Sequence, residues 1–414
     1  MLDIRFIREN SDLVQKNAKD KGYDIDVIQI VDLDNDRRSI QQQVEGLREK
    51  RNTNAAHLKG GQPDQEVIDE GKRIKTELTD KEQELNIISE QLNKLLSNVP
   101  NTMLPDVPIG EQEDGVEVKL WGQPKESAID HLDLATKRDW VDFERGAKVA
   151  GAKFYYLKGD LVLLENAITQ FALDFITKKD FTLLSVPHLV NSRVARGAGF
   201  APKSSKESNE YFIEGEDLML IGTSEVPLTG YHADEILDES NFPLLYASLS
   251  PCYRKEAGAY GQHSRGLFRV HQFNKLEMYA FTLPETSSDM HERILAIEEE
   301  LWQALEIPYR VINIASKDLG APAAKKYDIE YWSPVDQAYR ELTSCSNCTD
   351  FQARSLNIRV RRQDGSLVTP HTLNGTVVSL ARTLVAVIEN YQTAEGDLRI
   401  PDALKRYTGL SEKI

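Results

Sequence analysis

Cysteine is scarce: only Cys252, Cys345 and Cys348 occur in 414 residues. Three thiols cannot build a disulfide framework, and they fit a reducing compartment. Long apolar runs are missing too, since no stretch approaches the roughly 20 apolar residues that span a bilayer. The opening MLDIRFIREN is charged throughout and has no apolar leader core. No membrane association is expected, and the expected setting is the cytoplasm. Basic excess is also absent: Lys and Arg total 50 against 66 Asp and Glu, a net charge of -16. This excludes a generic nucleic-acid binder with a wholly basic surface, though not a locally favourable one.

Several chemical signatures are missing. There is no GxGxxG and no GxxxxGK[ST], so neither a Rossmann nor a P-loop nucleotide site is indicated. HExxH and GxSxG do not occur. Cys345-x-x-Cys348 has no second pair at zinc spacing, so no metal or redox site is expected there. Neither an internal repeat nor a low-complexity tract is found.

What is present is a globular composition, 40% hydrophobic and 28% charged, on a chain too long for one ordinary core. Leu33, Ile40, Val44 and Leu47 recur at helical spacing. After a break at 59–64, Ile74, Leu78, Lys81, Leu85, Ile88, Leu92 and Leu95 step by alternating fours and threes. Two such helices across a short Gly-Pro turn predict an antiparallel helical hairpin, an arm of roughly 45 Å over 67–97. Between 37 and 98 there are 11 basic and 11 acidic residues, so this segment is neutral within an acidic chain. Its charges read either as a solvated coiled-coil exterior or as a phosphate-contacting face of Arg48, Lys50, Arg51, Lys72, Arg73 and Lys75.

Residues 99–120, with Pro100, Pro105, Pro108 and the acidic run Glu111 to Asp114, read as a linker. Beyond it, 161–176 predicts an amphipathic helix. Strands are expected at 182–190, 244–248, 268–273, 276–281 and 357–360. The stretch 301–311 leaves a helix for a strand, and 376–391 reads as a buried helix. Clustered strands with interspersed helices predict an α+β fold with a mostly antiparallel sheet.

The stretch 250–281, SPCYRKEAGAYGQHSRGLFRVHQFNKLEMYAF, reads as strand, polar loop and strand. Arg254 falls where the first strand ends, with Arg265 and Arg269 in the loop and its exit. Guanidinium forks suit polyphosphate because they meet two oxygens at once. Phe273 offers a flat face to a base, and Glu277 lies on the same strand face. The run Tyr339 to Asn347 is oxygen-rich, which suits Mg²⁺. Arg382 interrupts an apolar helix, and a buried Arg demands an anion or an acidic partner.

On these residues the chain resembles seryl-tRNA synthetase of the bacterial type over essentially its whole length. YRKEAG…GLFRVHQFNKLE resembles class II motif 2 (250–281), NGTVVSLARTLVAVIENYQ resembles motif 3 (374–391), and the strand ending at Pro187 resembles motif 1 (near 165–190). Gly222 to Leu228 resembles the family's TxE serine element. The hairpin resembles the arm that grips the long variable arm of serine tRNA. The resemblance implies a class II antiparallel sheet flanked by helices in 106–414. It also implies a tRNA-binding domain in 1–105 with a helical coiled-coil arm. It implies activation of L-serine by ATP to seryl-adenylate and pyrophosphate, then transfer to the 3'-terminal adenosine of serine tRNA. Selenocysteine tRNA is a second candidate acceptor, and a homodimer is implied.

Residue by residue, the resemblance implies that Arg254 holds the α-phosphate, with Lys255 and Glu256 in the same ATP-binding stretch. Val270 would meet adenine through its backbone, Phe273 and Arg382 would sandwich it, and Arg269 would meet the outer phosphates. Glu341, Leu342, Thr343 and Ser344 would line the ATP site, with Glu341 and Ser344 holding Mg²⁺. Thr223, Ser224 and Glu225 would meet serine, Glu277 its polar end, and Thr376 its hydroxyl. Arg254, Glu341 and Arg382 are the catalytic candidates. Two stretches depart from the family's pattern: Val377 to Ala381 is bulkier than usual, and 195–206, ARGAGFAPKSSK, differs from GTGQLPK. Three rivals remain: an enzyme that loads a carrier protein, an inactive scaffold, and a class II synthetase for another amino acid. The arm argues against the first, intact Arg254, Glu341 and Arg382 against the second, and the TxE element against the third.

Overall fold

The computed structural model describes residues 1–58, 64–200, 209–256, 265–393 and 395–414. The Gly-Pro turn at 59–63, residues 201–206 of the departing stretch and 257–264 of the motif 2 stretch lie outside the described residues. The chain divides into two compact units, Met1–Thr102 and Met103–Ile414.

The first unit is helical: α1 (Ile4–Glu9), α2 (Ser11–Asp20), α3 (Val27–Leu58) and α4 (Gln65–Leu96). Asp3 caps α1, its carboxylate accepting from the Arg5 amide at 2.7 Å. Asp34 is fully buried on α3 and meets Arg8 at 2.7 Å and Arg37 at 2.8 Å. An unpaired carboxylate there would cost about 3–5 kcal/mol. Along α3 and α4, Asn54 bonds the Val67 carbonyl and Arg48 pairs with Glu82. Ile40, Val44 and Leu47 pack with Leu78, Leu85 and Ile88. Partners on the two helices therefore run in opposite directions, which makes the pair antiparallel. Each helix has 32 residues, about 48 Å at ~1.5 Å per residue. Of the expected seam, Ile74, Leu78 and Leu92 are buried and Lys81, Leu85, Ile88 and Leu95 half-buried, and Leu96 joins the buried residues at its end. A step of four from Leu92 to Leu96 keeps the stripe on its face.

The second unit is built on an eight-stranded sheet. Its strands are β1 (Val116–Trp121), β2 (Thr182–Leu183), β3 (Leu244–Tyr253), β4 (Gln272–Thr282), β5 (Tyr309–Asn313), β6 (Lys325–Ser333), β7 (Ala338–Asn347) and β8 (His371–Ser379). They lie in the order β1-β5-β6-β7-β8-β4-β3-β2. Every pairing is antiparallel except the two-residue edge strand β2 on β3. The helices that matter for the site are α5 (Asp160–Thr177), α6 (Glu225–Gly230), α7 (Ser287–Ala304), α8 (Phe351–Ser355) and α9 (Leu380–Tyr391). Helices α5, α7 and α9 pack their apolar residues with those of the sheet into one large core. No helix among the described residues is long and apolar enough to cross a membrane.

Four expectations need correction. The run 99–120, expected as a linker, ends in β1, which pairs with β5 at the sheet edge, and its Val107 is buried against Ile312 and Ile314. The run 182–190 is two separate strands, because Leu189–Asn191 pairs with Leu218–Leu220 instead of continuing β2. Pro187 lies between them and cannot donate to a ladder. The run 268–273 is a short 3₁₀ turn, Gly266–Phe268, followed by a strand that starts only at Gln272. The buried helix expected over 376–391 begins at Leu380, because β-branched Thr376, Val377 and Val378 extend β8 as strand. The expected helix at 161–176 forms with one extra residue at each end. The expected strand at 357–360 is a shorter one, Arg359–Arg361.

Candidate active site

Strands β7, β8, β4 and β3 lie side by side, and the chemistry-bearing residues gather where they meet α9. A cavity of ≈ 550 Å³, open to solvent, lies there. Arg254, Glu256, Arg269, Val270, Phe273, Glu341, Leu342, Thr343, Ser344, Thr376 and Arg382 all line it. The sequence thus named residues from three separate stretches that the fold brings into one cavity.

Two β-bulges set its lining. On β7, Glu341 stands opposite Glu330, Thr343 opposite Ile329 and Ser344 opposite Asp328, which leaves Leu342 as the extra residue. Alternation alone would put Glu341 and Ser344 on opposite faces; the bulge brings them to the same one. On β8, Thr376 stands opposite Glu277 and Val378 opposite Leu276, so Val377 is the extra residue. Thr376 and Ser379 then both face the cavity. Val377, Val378 and Leu380, the bulky departures, pack into the core, leaving Ser379 and Ala381 at the wall. Gly375 precedes Thr376 because a Cβ there would lie 2.3 Å from Ile294 Cγ2 on α7.

Arg254 leaves the end of β3 with its amide bonded to His271 O at 3.0 Å. Its Nε donates to Gly222 O at 3.1 Å, and its guanidinium lies 5.4 Å from the Phe273 ring. One side chain thus ties the motif 2 stretch to the TxE element. Glu256 adopts φ +48, and its carboxylate meets Arg269 Nη1 at 3.0 Å. Lys255 points elsewhere: its ammonium sits 5.5 Å from the Tyr211 ring and 5.9 Å from Phe212, and it does not line the cavity. Arg265 is drawn away to Asp133 at 2.6 Å.

The buried arginine of α9 has its acidic partner. Arg382 Nη1 lies 3.0 Å from Glu341 Oε1 and 3.3 Å from the Glu341 carbonyl. The Arg382 guanidinium holds the Glu341 carboxyl well below its ordinary range, at about 2. Glu341 is therefore a carboxylate at any working pH. Arg382 also lies 4.9 Å over the Phe268 ring, a cation–π contact that sequence reasoning missed. Phe268 lies in the GLFR run, five residues before Phe273.

At the other end, Glu277 is buried, with Lys275 Nζ 2.5 Å from its Oε2 and Thr376 Oγ1 3.4 Å from its Oε1. Lys275 was also missed, though Phe273, Lys275 and Glu277 alternate onto one face. Thr223 and Ser224 are fully buried ahead of α6. Thr223 Oγ1 accepts from the Glu225 amide at 3.2 Å, and Ser224 Oγ donates to Ser248 O at 3.2 Å. Glu225 Oε1 accepts from Asn374 Nδ2 at 2.9 Å and Gln352 Nε2 at 2.8 Å. Burial, then the neighbouring Glu277 charge, pushes the Glu225 carboxyl up to about 7. Burial likewise pushes Glu277 upward, against the pull of Lys275.

The six arm cations are all exposed on α3 and α4. Arg48 pairs with Glu82, Lys72 with Asp69 and Arg73 with Glu70. Lys50, Arg51 and Lys75 make no ion pair among the described residues. The cysteines are buried and free, and no cluster of His, Cys, Asp and Glu able to hold a metal occurs among the described residues.

Residues 210–391 match the family model of the tRNA synthetase class II core domain (G, H, P, S and T). Residues 1–103 match that of the seryl-tRNA synthetase N-terminal domain. The serine–tRNA ligase of Dictyoglomus turgidum is 45% identical, covering 100% of this chain and 99% of its own. That of Rubrobacter xylanophilus is 42% identical over 99% and 98%. Among solved structures, seryl-tRNA synthetase from Pyrococcus horikoshii complexed with ATP superposes with a TM-score of 0.92 at 39% identity, covering 100% and 99%. Cytoplasmic serine–tRNA ligase from Naegleria fowleri in complex with AMP gives 0.87 at 31% identity, covering 100% and 98%.

Proposed function

The chain belongs to the seryl-tRNA synthetase family and is an ATP-dependent serine–tRNA ligase, and on that premise we propose how its residues divide the reaction. ATP occupies the cavity beneath α9. Arg254 meets the α-phosphate, Arg269 and Glu256 meet the outer phosphates and the base edge, and Val270 presents its backbone to adenine. The ring lies against Phe273 and the Arg382 guanidinium. Lys255 acts at a distance, adding positive charge near the entrance rather than a contact.

Serine lies beside it. Glu225 takes the ammonium, because a carboxylate held by two amides is its natural complement. Thr223 shapes the strand-to-helix turn, and Ser224 anchors that turn to β3. Thr376 and Glu277 meet the hydroxyl. An alanine in that place would leave those buried groups unpaired, so it is rejected. Both reactants are anionic at the reacting centre. The serine carboxylate attacks the α-phosphorus, the bond to the β-phosphate oxygen breaks, and pyrophosphate leaves. Arg254 lowers the repulsion and aligns the pair; a carboxylate nucleophile needs no base. The terminal ribose hydroxyl of tRNA then attacks the seryl carbonyl, and AMP leaves.

Mg²⁺ fits the donor set present. The β7 bulge turns the Glu341 carboxylate and the Ser344 hydroxyl to one face, both hard oxygen donors on the cavity wall. Such an ion, held by Glu341 and Ser344, would neutralise phosphate charge there.

We assign tRNA recognition to residues 1–105 and catalysis to 106–414, with Arg48, Lys50, Arg51, Lys72, Arg73 and Lys75 as the phosphate-contacting arm residues. Serine tRNA is the acceptor, and selenocysteine tRNA shares it if its arm has the same shape. A homodimer through the 165–190 region suits the exposed Leu183 and Leu189 there. Buried, unbridged cysteines suit the cytoplasm.

The observation that carries the active-site reading is the convergence of Arg254, Glu341 and Arg382 on one cavity. It is tested by ATP–pyrophosphate exchange with each of the twenty amino acids, without tRNA. Exchange is expected with serine alone, and none in Arg254→Ala. Near-normal exchange in that variant would sink the assignment.

A further inference from the structure

Gln352 lies on α8, belongs to none of the motifs that carry the resemblance, and is fully buried. Its amide is saturated. Oε1 accepts from Tyr279 Oη at 2.9 Å and from Thr372 Oγ1 at 2.7 Å. Nε2 donates to Ala198 O at 2.9 Å and to Glu225 Oε1 at 2.8 Å. The acceptor half faces two hydroxyl donors, and the donor half faces two acceptors. Only an amide supplies both halves at this length. A carboxylate at 352 would press a like charge against Glu225. An apolar side chain would take one hydrogen bond from each of four buried groups, and Glu225 Oε1 and Tyr279 Oη would keep only those to Asn374 and Thr229.

The consequence falls on Glu225. Its Oε1 is held from two directions, by Gln352 on α8 and by Asn374 on β8. That fixes the carboxylate plane and leaves Oε2 for a ligand. We propose that Gln352 is a positioning residue for amino-acid recognition, whose amide locks the Glu225 carboxylate in the orientation that receives the ammonium of serine. This rests on the reading of Glu225 as the ammonium partner. Gln352 itself touches neither substrate. It acts through one hydrogen bond, and the hydroxyls of Tyr279 and Thr372 set the roll of its own amide. Buried, fully satisfied networks of this kind confer rigidity that their single members do not.

The test uses the full-length enzyme in serine-dependent ATP–pyrophosphate exchange. Gln352→Met keeps the length and removes every hydrogen bond. Its KM for serine is expected to rise about tenfold or more, the scale of one lost charge-assisted hydrogen bond, with KM for ATP within about twofold. Tyr279→Phe removes one anchor of Gln352 and an acceptor of Thr229 Oγ1, and leaves both hydrogen bonds to the Glu225 carboxylate in place. It is expected to shift serine KM in the same direction by about threefold, and it serves if the Met variant does not fold. A purely structural role would instead lower kcat with both KM values unchanged, or raise both together; either result overturns the proposal. Glu225→Gln separates the two layers. Unchanged serine KM in Glu225→Gln sinks the reading of Glu225. A raised value there, with Gln352→Met and Tyr279→Phe unchanged, sinks the role of Gln352 alone.

Discussion

At the scale of single residues, two carboxylates near the cavity are driven in opposite directions by their surroundings. Glu341 faces Arg382 and is held at about 2, whereas Glu225 is buried beside Glu277 and is pushed up to about 7. The first cannot titrate in any usable assay; the second can. A Glu225 carboxyl is neutral below about 7 and charged above it, and only the charged form complements an ammonium. Serine KM is therefore expected to be flat above that point and to rise towards about tenfold per pH unit below it. Glu277 and Lys275 on β4 and Arg254 at the end of β3 share the same field. The check is the profile of serine KM in wild type and in Glu225→Gln. The inflection should vanish in the variant, and an unchanged inflection would assign it to another group. What was legible here followed from charge type. Arginines and a lone glutamate in a strand announce phosphate and cation chemistry on sight. Gln352, Lys275 and Phe268 did not, because a glutamine, a lysine and a phenylalanine are ordinary residues until a fold supplies their partners.

At the scale of elements, strands and helices were legible where periodicity was unbroken and lost where a site interrupts it. The heptads of α4 read directly as far as Leu92, whereas β4, buried on both faces from Lys275 on, reads as two runs, 268–273 and 276–281. The bulges at Leu342 and Val377 were not legible, since an extra residue in one strand is invisible until its partner is known. The start of α9 was misplaced for a related reason: an apolar run serves a buried strand as well as a buried helix. The hairpin of α3 and α4 carries its own seam, and the second unit carries its own core. Each therefore has the apolar surface to fold without the other. Deleting residues 37–98 is expected to leave serine-dependent exchange within about twofold while aminoacylation of serine tRNA falls by at least about a hundredfold. Circular dichroism of the remaining chain tests whether the core persists. Loss of both activities with the fold intact would contradict a separable arm.

At the scale of the whole molecule, charge poses a problem that the proposed arm contacts would answer. The chain carries -16, and tRNA is a polyanion, so association at large is repulsive. Residues 37–98 hold 11 basic and 11 acidic residues, so the rest of the chain carries the entire surplus. The arm is thus a long neutral stretch on which exposed cations can meet phosphate locally. Three of its six named cations, Arg48, Lys72 and Arg73, already have carboxylate partners, and Lys50, Arg51 and Lys75 have none among the described residues. The number engaged is readable from salt. With a slope of about 0.9 per neutralised phosphate, three contacts lose about 40-fold in affinity over a roughly fourfold rise in salt, and six lose about 2,000-fold. The smaller value is expected, because one ion pair between α3 and α4 and two within α4 compete with phosphate for the other three. It is measured as the KM for serine tRNA against salt, with serine-dependent exchange as the control that contains no RNA. A slope that matches six contacts would mean that these three ion pairs open on binding. A tRNA KM that ignores salt would assign recognition to shape alone and remove these cations from it.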